Sequence, residues 1–416
     1  MKKRDYITMN VYWFGLAFLW NGLHPIILPA LLLGLVPETL KNSYLGGLTF
    51  AGLILAMIVQ PLTGALSDRS RSRWGRRRPW IVVGTLLGLI CLAGMALASS
   101  FWGLMAGYLC LQIASNAAHG PAQGLIPDLV HQERRGLASG IKNLFDMGGL
   151  VITSLLAGQL MGSGNPTLAF ALTGGVLATS ALVTVLFTPE PPAPMVGEGD
   201  DALPSLLRVE WGRYPAYTRL IISRFLILLG IYAVQGFAQY YIRDWLGLPN
   251  AAEVTGNLLA GIGLALTLLV FPAGWLSDRI GRLPLNLLAG GLATVGILSL
   301  VLVRDVTTLY LSGAVVGMAT GIFVSVNWAL ATDLIPAEEA GKYLGLSNLA
   351  TAGAGATSRL AGPLIDGINA LHPGAHLGYP VLFVVASAST LLGTLFLLSL
   401  RHRDRGPAGG QGVVVQ

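Results

Sequence analysis

Long, almost uninterrupted apolar segments are the feature that most restricts how this chain can fold. Trp80–Ser99 and Val381–Leu400 are two examples. A bilayer core about 30 Å thick needs roughly 20 apolar residues per spanning helix, so each segment is long enough to cross a membrane. Only 11% of the residues are charged, against roughly 25% in soluble domains. Because transmembrane β-strands would alternate in polarity over about ten residues, the sequence predicts an all-α membrane protein.

Twelve segments of this kind are predicted to span the membrane, in two groups of six. They cover residues 8–36, 43–66, 80–98, 101–127, 137–161 and 166–188, and then 216–243, 252–276, 284–302, 306–332, 342–368 and 378–400. A polar, proline-rich stretch that includes Pro189–Pro194 separates the two groups. The predicted organisation is an N-terminal six-helix half (1–188), a cytoplasmic central loop (189–215), a C-terminal six-helix half (216–400) and a disordered cytoplasmic tail (401–416).

Most of the 26 lysine and arginine residues lie in alternate loops, on the side that also holds both termini. The opposite loops contain only Lys41, Arg243 and Arg304. By the positive-inside rule, both termini are predicted to be cytoplasmic, in an integral multi-pass protein of the plasma (inner) membrane. This placement argues against nucleic acid as a partner. Cys91 and Cys110 lie inside apolar segments, so we expect no disulfide framework, metal site or thiol nucleophile. The sequence shows no catalytic constellation and no cofactor-binding loop, so we expect no cofactor and no enzymatic activity.

Two short motifs occur once in each group of six. Gly64-Ala-Leu-Ser-Asp68-Arg69 follows the second segment, and Gly274-Trp-Leu-Ser-Asp278-Arg279-Ile-Gly281-Arg282 follows the eighth. Asp128 and Asp333 stand in similar short motifs after the fourth and the tenth segments. Two related six-helix halves around a central cavity are typical of secondary transporters, in which one half rocks against the other. The repeat therefore predicts a transporter that works by alternating access.

The pattern Gly-x-x-x-Asp-Arg-x-Gly-Arg, matched without a gap at Gly274–Arg282, resembles the signature loop of the major facilitator superfamily. The resemblance covers nearly the whole chain and implies twelve transmembrane helices in two pseudo-symmetric halves. It also implies that charge pairs in the two loops hold the cytoplasmic side closed, whereas the alternative is that these basic loops only fix the topology. The predicted gating residues are Gly64, Asp68, Arg69, Gly75, Arg76, Arg77, Gly274, Asp278, Arg279, Gly281 and Arg282.

The first copy of the motif is four residues longer, and with Val59-Gln-Pro61 it resembles the glycoside–pentoside–hexuronide cation symporters. Together with Asn116-Ala-Ala-His-Gly120-Pro121, it is more similar to their sucrose/proton branch. The sequence differs from both groups of symporters at the positions where they bind the coupling ion. Melibiose-type relatives carry two cation-binding aspartates where Ala56 and Gln60 stand here, and sucrose symporters carry an aspartate and an arginine at Gln112 and Gln123. The coupling ion and the sugar therefore do not follow from the resemblance.

Gln112, Asn116, His119 and Gln123 are spaced four, three and four residues apart, so they share one face of the fourth span. Polar groups inside a membrane must be paired or face water, and amide and imidazole groups suit a hydroxyl-rich, uncharged ligand. The alternative is that these side chains only bond neighbouring helices. The other residues predicted to bind substrate are Asn21, His24, Gln60, Gln235, Gln239, Tyr240 and Asn327.

Asp146 is the acidic residue that lies deepest inside a predicted span, and such a residue is a functional candidate. Lys142 stands four positions earlier on the same helix, and Arg224 lies at a comparable depth in the seventh span. One hypothesis is that Asp146 alternates between protonation and pairing with Lys142 or Arg224, which would couple proton movement to transport. The other is that Asp146 is permanently ionised and only neutralises Lys142.

These observations together predict proton-coupled uptake of a neutral sugar or glycoside, similar to sucrose or maltose. The expected partners are the small-molecule substrate, protons and the lipid bilayer, and the protein is expected to be a monomer. Two alternatives are an exporter of amphipathic drugs or lipids on the same fold, and a non-transporting membrane sensor or assembly protein. The polar face of the fourth span argues against the exporter, and the two gating motifs argue against the sensor.

Overall fold

The described part of the chain is almost entirely helical. The computed structural model describes residues 3–191, 213–335 and 340–401. No β-strand occurs within those ranges, which confirms the predicted all-α fold class. Residues 192–212 of the predicted central loop and residues 402–416 of the predicted tail lie outside the described residues.

Sixteen α-helices follow one another in the described ranges, and a π-helical turn (Leu23–Ile27) joins the second to the third. They are α1 (Lys3–Thr8), α2 (Val11–Gly22), α3 (Leu28–Leu32), α4 (Lys41–Asp68), α5 (Arg78–Ala96), α6 (Phe101–Gln123), α7 (Leu125–Leu129), α8 (Arg135–Gly162), α9 (Pro166–Phe187), α10 (Pro215–Asp244), α11 (Ala251–Ile280), α12 (Arg282–Ser299), α13 (Val306–Asp333), α14 (Ala340–Ser358), α15 (Ala361–Leu371) and α16 (Gly378–Arg401). Short 3-10 turns precede α4 and α8 and follow α12.

Ten helical segments among the described residues are long and apolar enough to cross a membrane. The two remaining predicted spans, 101–127 and 342–368, correspond to α6 and to the pair α14 and α15. With 23 residues α6 is long enough, but Gln112 and Asn116 lower its mean hydropathy. The chain leaves helical geometry at Arg359 and Leu360, so the eleventh predicted span is two helices instead of one.

The first predicted span is also interrupted, at Pro25. A proline has no N–H group and cannot donate the hydrogen bond that would continue the α-helix. The chain instead makes a π turn, closed by the N–H of Leu28 donating to the carbonyl of Leu23. Such turns are often found at functional sites, and this one carries His24.

The described residues form two units. The first comprises described residues of 1–199 and 238–260, so it contains the end of α10 and the start of α11, and the second comprises those of 200–237 and 261–416. The two units repeat one helix pairing: α5 packs on α6 and α9 in the first, and α12 packs on α13 and α16 in the second. In each unit a glycine lets two of these helices approach each other closely. An added Cβ at Gly84 would lie 2.6 Å from the carbonyl oxygen of Ala114, and one at Gly290 would lie 2.1 Å from Thr394 Oγ1.

Large apolar side chains remain exposed along the outside of both units. Leu97 in the first unit and Phe271 in the second are each 83% exposed. In water such a surface would be unfavourable, whereas in a bilayer it faces lipid chains of the same polarity. The exposed apolar surface therefore agrees with an integral multi-pass membrane protein.

Candidate functional site

Four polar side chains of the first unit form one hydrogen-bonded network, which we call the amide–imidazole network. Gln112 Nε2 donates to Tyr108 Oη at 2.7 Å, and His24 Nε2 lies 2.9 Å from the same oxygen. Asn116 Nδ2 donates to Gln112 Oε1 at 3.0 Å and to the Gln112 carbonyl oxygen at 2.8 Å. Gln112 and Asn116 are buried. The network therefore brings together three of the predicted substrate-binding residues, together with Tyr108.

Local backbone features place this network. The π turn at Pro25 carries His24, whose ring stacks on Trp20 with a centroid distance of 5.0 Å. On α4, Gly52 leaves room for the phenol, because an added Cβ there would lie 2.4 Å from a ring carbon of Tyr108. The turn and the glycine together allow His24 to meet the polar side chains of α6.

The chemistry of the amide–imidazole network is that of neutral donors and acceptors. The phenol, the two amides and the imidazole all both donate and accept hydrogen bonds. Each of them can therefore replace a hydrogen bond within the network by a hydrogen bond to a hydroxyl group of a ligand. The partly exposed ring of Trp20 adds an aromatic face beside the network. This combination is suited to an uncharged, hydroxyl-rich ligand with an apolar face, such as a sugar ring.

A second cluster of the first unit contains the charged residues predicted in the fifth span. Lys142 Nζ donates to Asp146 Oδ2 at 2.7 Å and lies 3.9 Å from the centroid of the Trp13 ring. The His119 ring meets the same indole edge-on at 5.1 Å, and Gln123 Nε2 lies 3.5 Å from His119 Nε2. The predicted polar face of α6 is therefore divided: its first two members join the amide–imidazole network and its last two join the ion pair.

The third predicted charge, Arg224, lies in the second unit with neutral partners. Its Nη1 donates to Asn327 Oδ1 at 2.7 Å and its Nε donates to Thr351 Oγ1 at 2.9 Å. The guanidinium carbon lies 5.8 Å from the centroid of the Trp328 ring. These contacts join α10 to α13 and α14 within the unit.

Five further residues were predicted to bind substrate, and they have different environments. Tyr240 is buried and donates to the Pro29 carbonyl at 2.9 Å. Gln239, in the amide orientation that satisfies both of its ends, donates to the carbonyls of Ile26 and Pro25 at 2.9 and 3.0 Å. Both therefore bind the interrupted first span, where the π turn leaves carbonyl groups to be paired. Asn21 donates to the Ala17 carbonyl of its own helix, while Gln60 and Gln235 are half-buried.

In the first gating motif, Arg77 is the central residue. It is 5% exposed and pairs with Asp68 at 2.5 Å and with Asp128 at 2.8 Å, while its Nη1 donates to Ser67 Oγ at 2.5 Å. Burial alone would lower the pKa of Arg77, but the hydrogen bond and charge of Asp128, with those of Asp68, raise it above its ordinary value. The motif therefore holds a permanent cation between two acidic residues.

A carboxylate from the start of the central loop completes this motif. Glu190 accepts hydrogen bonds from the backbone N–H of Arg77 at 2.7 Å and of Arg78 at 3.1 Å, at the N-terminus of α5. Gly75 has a φ of 105°, and an added Cβ there would lie 2.5 Å from Glu190 Cδ. Both observations explain why a glycine stands at this position. They also attach the chain that follows α9 to the gating motif.

The second unit repeats the arrangement around Arg282. Its Nη1 lies 2.5 Å from an oxygen of Asp333, and its Nη2 lies 3.8 Å from Asp278. Arg279 instead places its guanidinium carbon 3.9 Å from the centroid of the Trp275 ring. Preceding Arg282, Gly281 has a φ of 92°. In each unit, then, one motif arginine binds both the motif aspartate and the aspartate that follows the fourth or tenth predicted span.

The remaining predicted gating residues make fewer contacts than Arg77 and Arg282 do. Arg69 is exposed and Arg76 half-buried, and neither forms an ion pair with a residue that the structure describes. At Gly64 an added Cβ would meet Gly120 at 3.8 Å, and at Gly274 it would meet Ser325 Oγ at 3.4 Å, which are ordinary contact distances.

At the other end of the first unit, four charged residues form an outer ion cluster. Lys41 binds Glu38 and lies 2.7 Å from Asp244, and Arg243 lies 2.7 Å from Glu38. The side chains of Lys41 and Asp244 are each 5% exposed. Lys41 Nζ also lies 5.6 Å from the centroid of the Tyr240 ring. This cluster binds the end of α10 to the loop before α4.

Several of these contact residues were not among the sequence predictions. In the sequence, Glu190 belongs to a polar linker and Lys41 indicates only the topology. Asp128 and Asp333 form a repeat, but the repeat does not identify them as partners of the motif arginines. The available signal was that Asp128 and Asp333 each follow a motif arginine, Arg77 or Arg282, by 51 positions. No local pattern connects Lys41 with Asp244.

The chain is similar to several known membrane transporters. The model of the Major Facilitator Superfamily matches residues 6–358 and 220–414. Proton-associated sugar transporter A of Rattus norvegicus is 31% identical over 216 residues, 46% of this chain and 28% of that protein. Sucrose transport protein SUT1 of Oryza sativa subsp. japonica is 32% identical over 126 residues, 24% of this chain and 23% of that protein. The chain thus spans less than a third of the length of either relative.

Other similarities extend over more of the chain. Multidrug resistance protein MdtG of Serratia proteamaculans (strain 568) is 27% identical over 285 residues, 66% of each chain. The crystal structure of nucleoside transporter NupG superposes with a TM-score of 0.75 at 13% identity, over 96% of this chain and 99% of that one, which shows the fold alone. The resemblance predicted from the motifs is confirmed by the family model and the sugar and sucrose relatives.

Proposed function

Because this chain belongs to the Major Facilitator Superfamily of membrane transporters, we propose that it takes up a neutral sugar or glycoside, similar to sucrose or maltose, together with protons. Its relatives are membrane transporters and not enzymes. Transport proceeds by alternating access, in which a solute site opens to each side of the membrane in turn.

The amide–imidazole network is the observation that carries the choice of substrate. Gln112, Asn116, His24 and Tyr108 are neutral groups that both donate and accept, and hydroxyl groups of a sugar do the same. A network of this polarity is costly inside a membrane protein unless it serves a polar solute or joins helices. The similarity to a proton-associated sugar transporter supports the first of these roles.

Energy coupling is assigned to Asp146. Its carboxylate and Lys142 form an ion pair at 2.7 Å, and the indole of Trp13 lies against the ammonium group. Protonation of Asp146 would release Lys142 from the pair, so a proton can change the charge distribution of this cluster without a metal or cofactor. The positions that resemble the acidic coupling sites of those symporters carry Ala56, Gln60 and Gln112 here, which leaves Asp146 as the candidate coupling group.

Gating is assigned to the ion-pair motifs. Arg77 with Asp68 and Asp128, and Arg282 with Asp333, stabilise the cytoplasmic end of each unit when formed. We place both termini in the cytoplasm, because most of the basic residues lie in loops on the same side as the termini. We also propose that the protein works as a monomer in the inner membrane. The lipid bilayer, protons and the solute are its proposed partners.

Uptake of labelled sucrose and maltose into proteoliposomes tests the proposal. With an inward proton gradient, the native protein should accumulate at least one of the sugars, and Asp146→Asn should reduce the uptake to the passive, downhill level. Asp305→Asn is the matched control, since it makes the same change at an exposed residue in the loop before α13. Uptake that needs no gradient and survives Asp146→Asn would indicate a facilitator, and the absence of uptake of both sugars would remove this substrate class.

The second candidate is an exporter of amphipathic drugs, which the similarity to a multidrug resistance protein favours. The two candidates differ in what they require of α6. Gln112→Leu deletes the amide that binds Tyr108 and accepts from Asn116, so it should abolish sugar transport. Export of an apolar dye should tolerate the change, because an apolar solute makes no use of those hydrogen bonds.

A further inference from the structure

The loop between α4 and α5 contains more arginines than its contacts use. Residues 68–78 include six arginines and one aspartate. Arg77 pairs with two aspartates, and Arg78 donates to the carbonyl oxygen of Thr188. The other four arginines form no ion pair with a residue that the structure describes, and they are Arg69, Arg71, Arg73 and Arg76. Their charges are therefore available to a further partner.

The second copy of the motif shows that these additional arginines are not needed to build the motif. Asp278–Arg282 contains two arginines, and both have partners within the second unit. Arg279 lies against the ring of Trp275, and Arg282 pairs with Asp333. The first copy is four residues longer and carries the arginines without an ion pair. If basic residues at this position only fixed the topology, the shorter copy would be sufficient.

An exposed tryptophan stands among these arginines. The N–H of Gly75 donates to the carbonyl of Ser72 at 3.2 Å, which closes a turn with Arg73 and Trp74 at its tip. Trp74 is 68% exposed. Tryptophan is enriched where a membrane meets water, because its ring is apolar and its N–H group can bind a polar headgroup. The turn therefore presents a guanidinium group and an indole side by side.

The lipid-facing surfaces of the adjoining helices end at this loop. Both helices expose apolar side chains at helical spacing, namely Ile58, Leu62 and Leu66 on α4, and Val83, Leu87 and Ile90 on α5. Leu66 lies two residues before the end of α4, and Val83 lies five residues after the start of α5. In a bilayer these side chains contact the lipid chains, so the loop that joins the two helices lies where the hydrocarbon ends and the headgroups begin.

We infer that residues 69–76 form a binding site for the headgroup of an anionic phospholipid, such as phosphatidylglycerol, in the leaflet next to this loop. The guanidinium groups donate to the phosphate oxygens, and the indole of Trp74 packs on the upper part of the acyl chains. Each basic residue near an anionic lipid surface is worth about five-fold in affinity. The inference concerns the lipid and does not depend on which solute the protein transports.

Binding of single lipids to the full-length protein, measured by native mass spectrometry from detergent, tests the site. Phosphatidylcholine with the same acyl chains is the reference, because its choline cancels the phosphate charge. The native protein should bind phosphatidylglycerol at least about ten-fold more tightly. Arg71→Gln/Arg73→Gln should lower this preference by about five-fold or more, whereas Arg71→Lys/Arg73→Lys keeps the charge and should retain most of it. Equal affinities in the native protein, or an unchanged preference in the glutamine variant, would overturn the inference.

A matched pair of single variants separates this loop from the net charge of the protein. Arg73→Gln and Arg134→Gln each remove one charge from an exposed arginine, and Arg134 lies in the 3-10 turn before α8. Arg73→Gln should lower the preference for phosphatidylglycerol by about five-fold, and Arg134→Gln should leave it nearly unchanged. Both variants should keep the native melting temperature, since neither arginine forms an ion pair with a described residue. Equal losses in the two variants would show that the preference follows net charge, and the inference would be wrong.

Two further measurements distinguish a lipid from a soluble anion. Trp74→Ala should weaken the binding of both lipids by a similar factor and leave the preference between them intact, because the indole contacts the part that they share. Glycerol 3-phosphate carries a phosphate without acyl chains, and at the same concentration it should not displace phosphatidylglycerol. Displacement by glycerol 3-phosphate, or by an acidic peptide at the same concentration, would show that the loop binds a soluble anion and would reject the lipid site.

Discussion

The outer ion cluster offers a direct test of how much its buried ion pair contributes to stability. Lys41 and Asp244 lie 2.7 Å apart, and each side chain is 5% exposed. At an effective dielectric constant of about 20, charges at that distance attract each other by about 6 kcal/mol, and desolvation offsets a large part of this. Since Glu38 also binds Lys41 and limits the loss, we expect Asp244→Asn to lower the free energy of unfolding by about 2–3 kcal/mol.

A double-mutant cycle isolates this pair from the other effects of each substitution. Lys41→Met, Asp244→Asn and the double variant would be unfolded by SDS in mixed micelles, and the expected coupling energy is about 2 kcal/mol. Arg243 and Glu38 provide the control, because they form an ion pair of the same length in the same cluster but are 36% and 55% exposed. Their coupling energy should be under about 1 kcal/mol. Equal coupling energies for the two pairs would refute the argument from burial.

Two further predictions concern contacts that a single substitution removes. Gly52→Ala should displace Tyr108, because the added Cβ would lie 2.4 Å from its ring; we expect a several-fold higher KM for sugar uptake and a loss of about 1–3 kcal/mol of stability. The control is Gly47→Ala on the same helix, where nothing lies within 4 Å of the added Cβ, and it should change neither quantity. An unchanged KM in Gly52→Ala would contradict the placement of the network. Glu190→Gln weakens the charge-assisted hydrogen bonds to the backbone N–H groups of Arg77 and Arg78. Limited proteolysis of the chain after α9 should therefore become faster. An unchanged rate of proteolysis would show that Glu190 does not hold that segment.

Much of the fold could be predicted from the sequence, because the membrane imposes its constraints locally. Apolar length and loop charge locate the helices without reference to tertiary contacts. The Lys142–Asp146 pair was predictable for the same reason, since residues four apart on a helix are neighbours. The interruption at Pro25 follows from the missing N–H group, although the continuous hydropathy of residues 8–36 conceals it.

The candidate site depended on contacts that no local pattern encodes. Glu190 binds Arg77 across 113 positions, and Tyr240 binds the Pro29 carbonyl across 211. The helical period correctly placed Gln112 and Asn116 together, but it could not show that Trp13 would bring His119 to a different cluster. Helix periodicity identifies the face of a helix, whereas the partner of that face is decided by packing between segments distant in the chain.

The most direct test of the central claim is sugar-driven proton movement. Proteoliposomes that contain the native protein and an internal pH indicator, with no imposed gradient, would be mixed with sucrose or maltose. Proton-coupled uptake predicts acidification of the interior on addition of the sugar, lost in Asp146→Asn and in Gln112→Leu, and retained in Asp305→Asn. Entry of labelled sugar with no change of internal pH would contradict proton coupling, and acidification that persists in Asp146→Asn would contradict the role assigned to that residue.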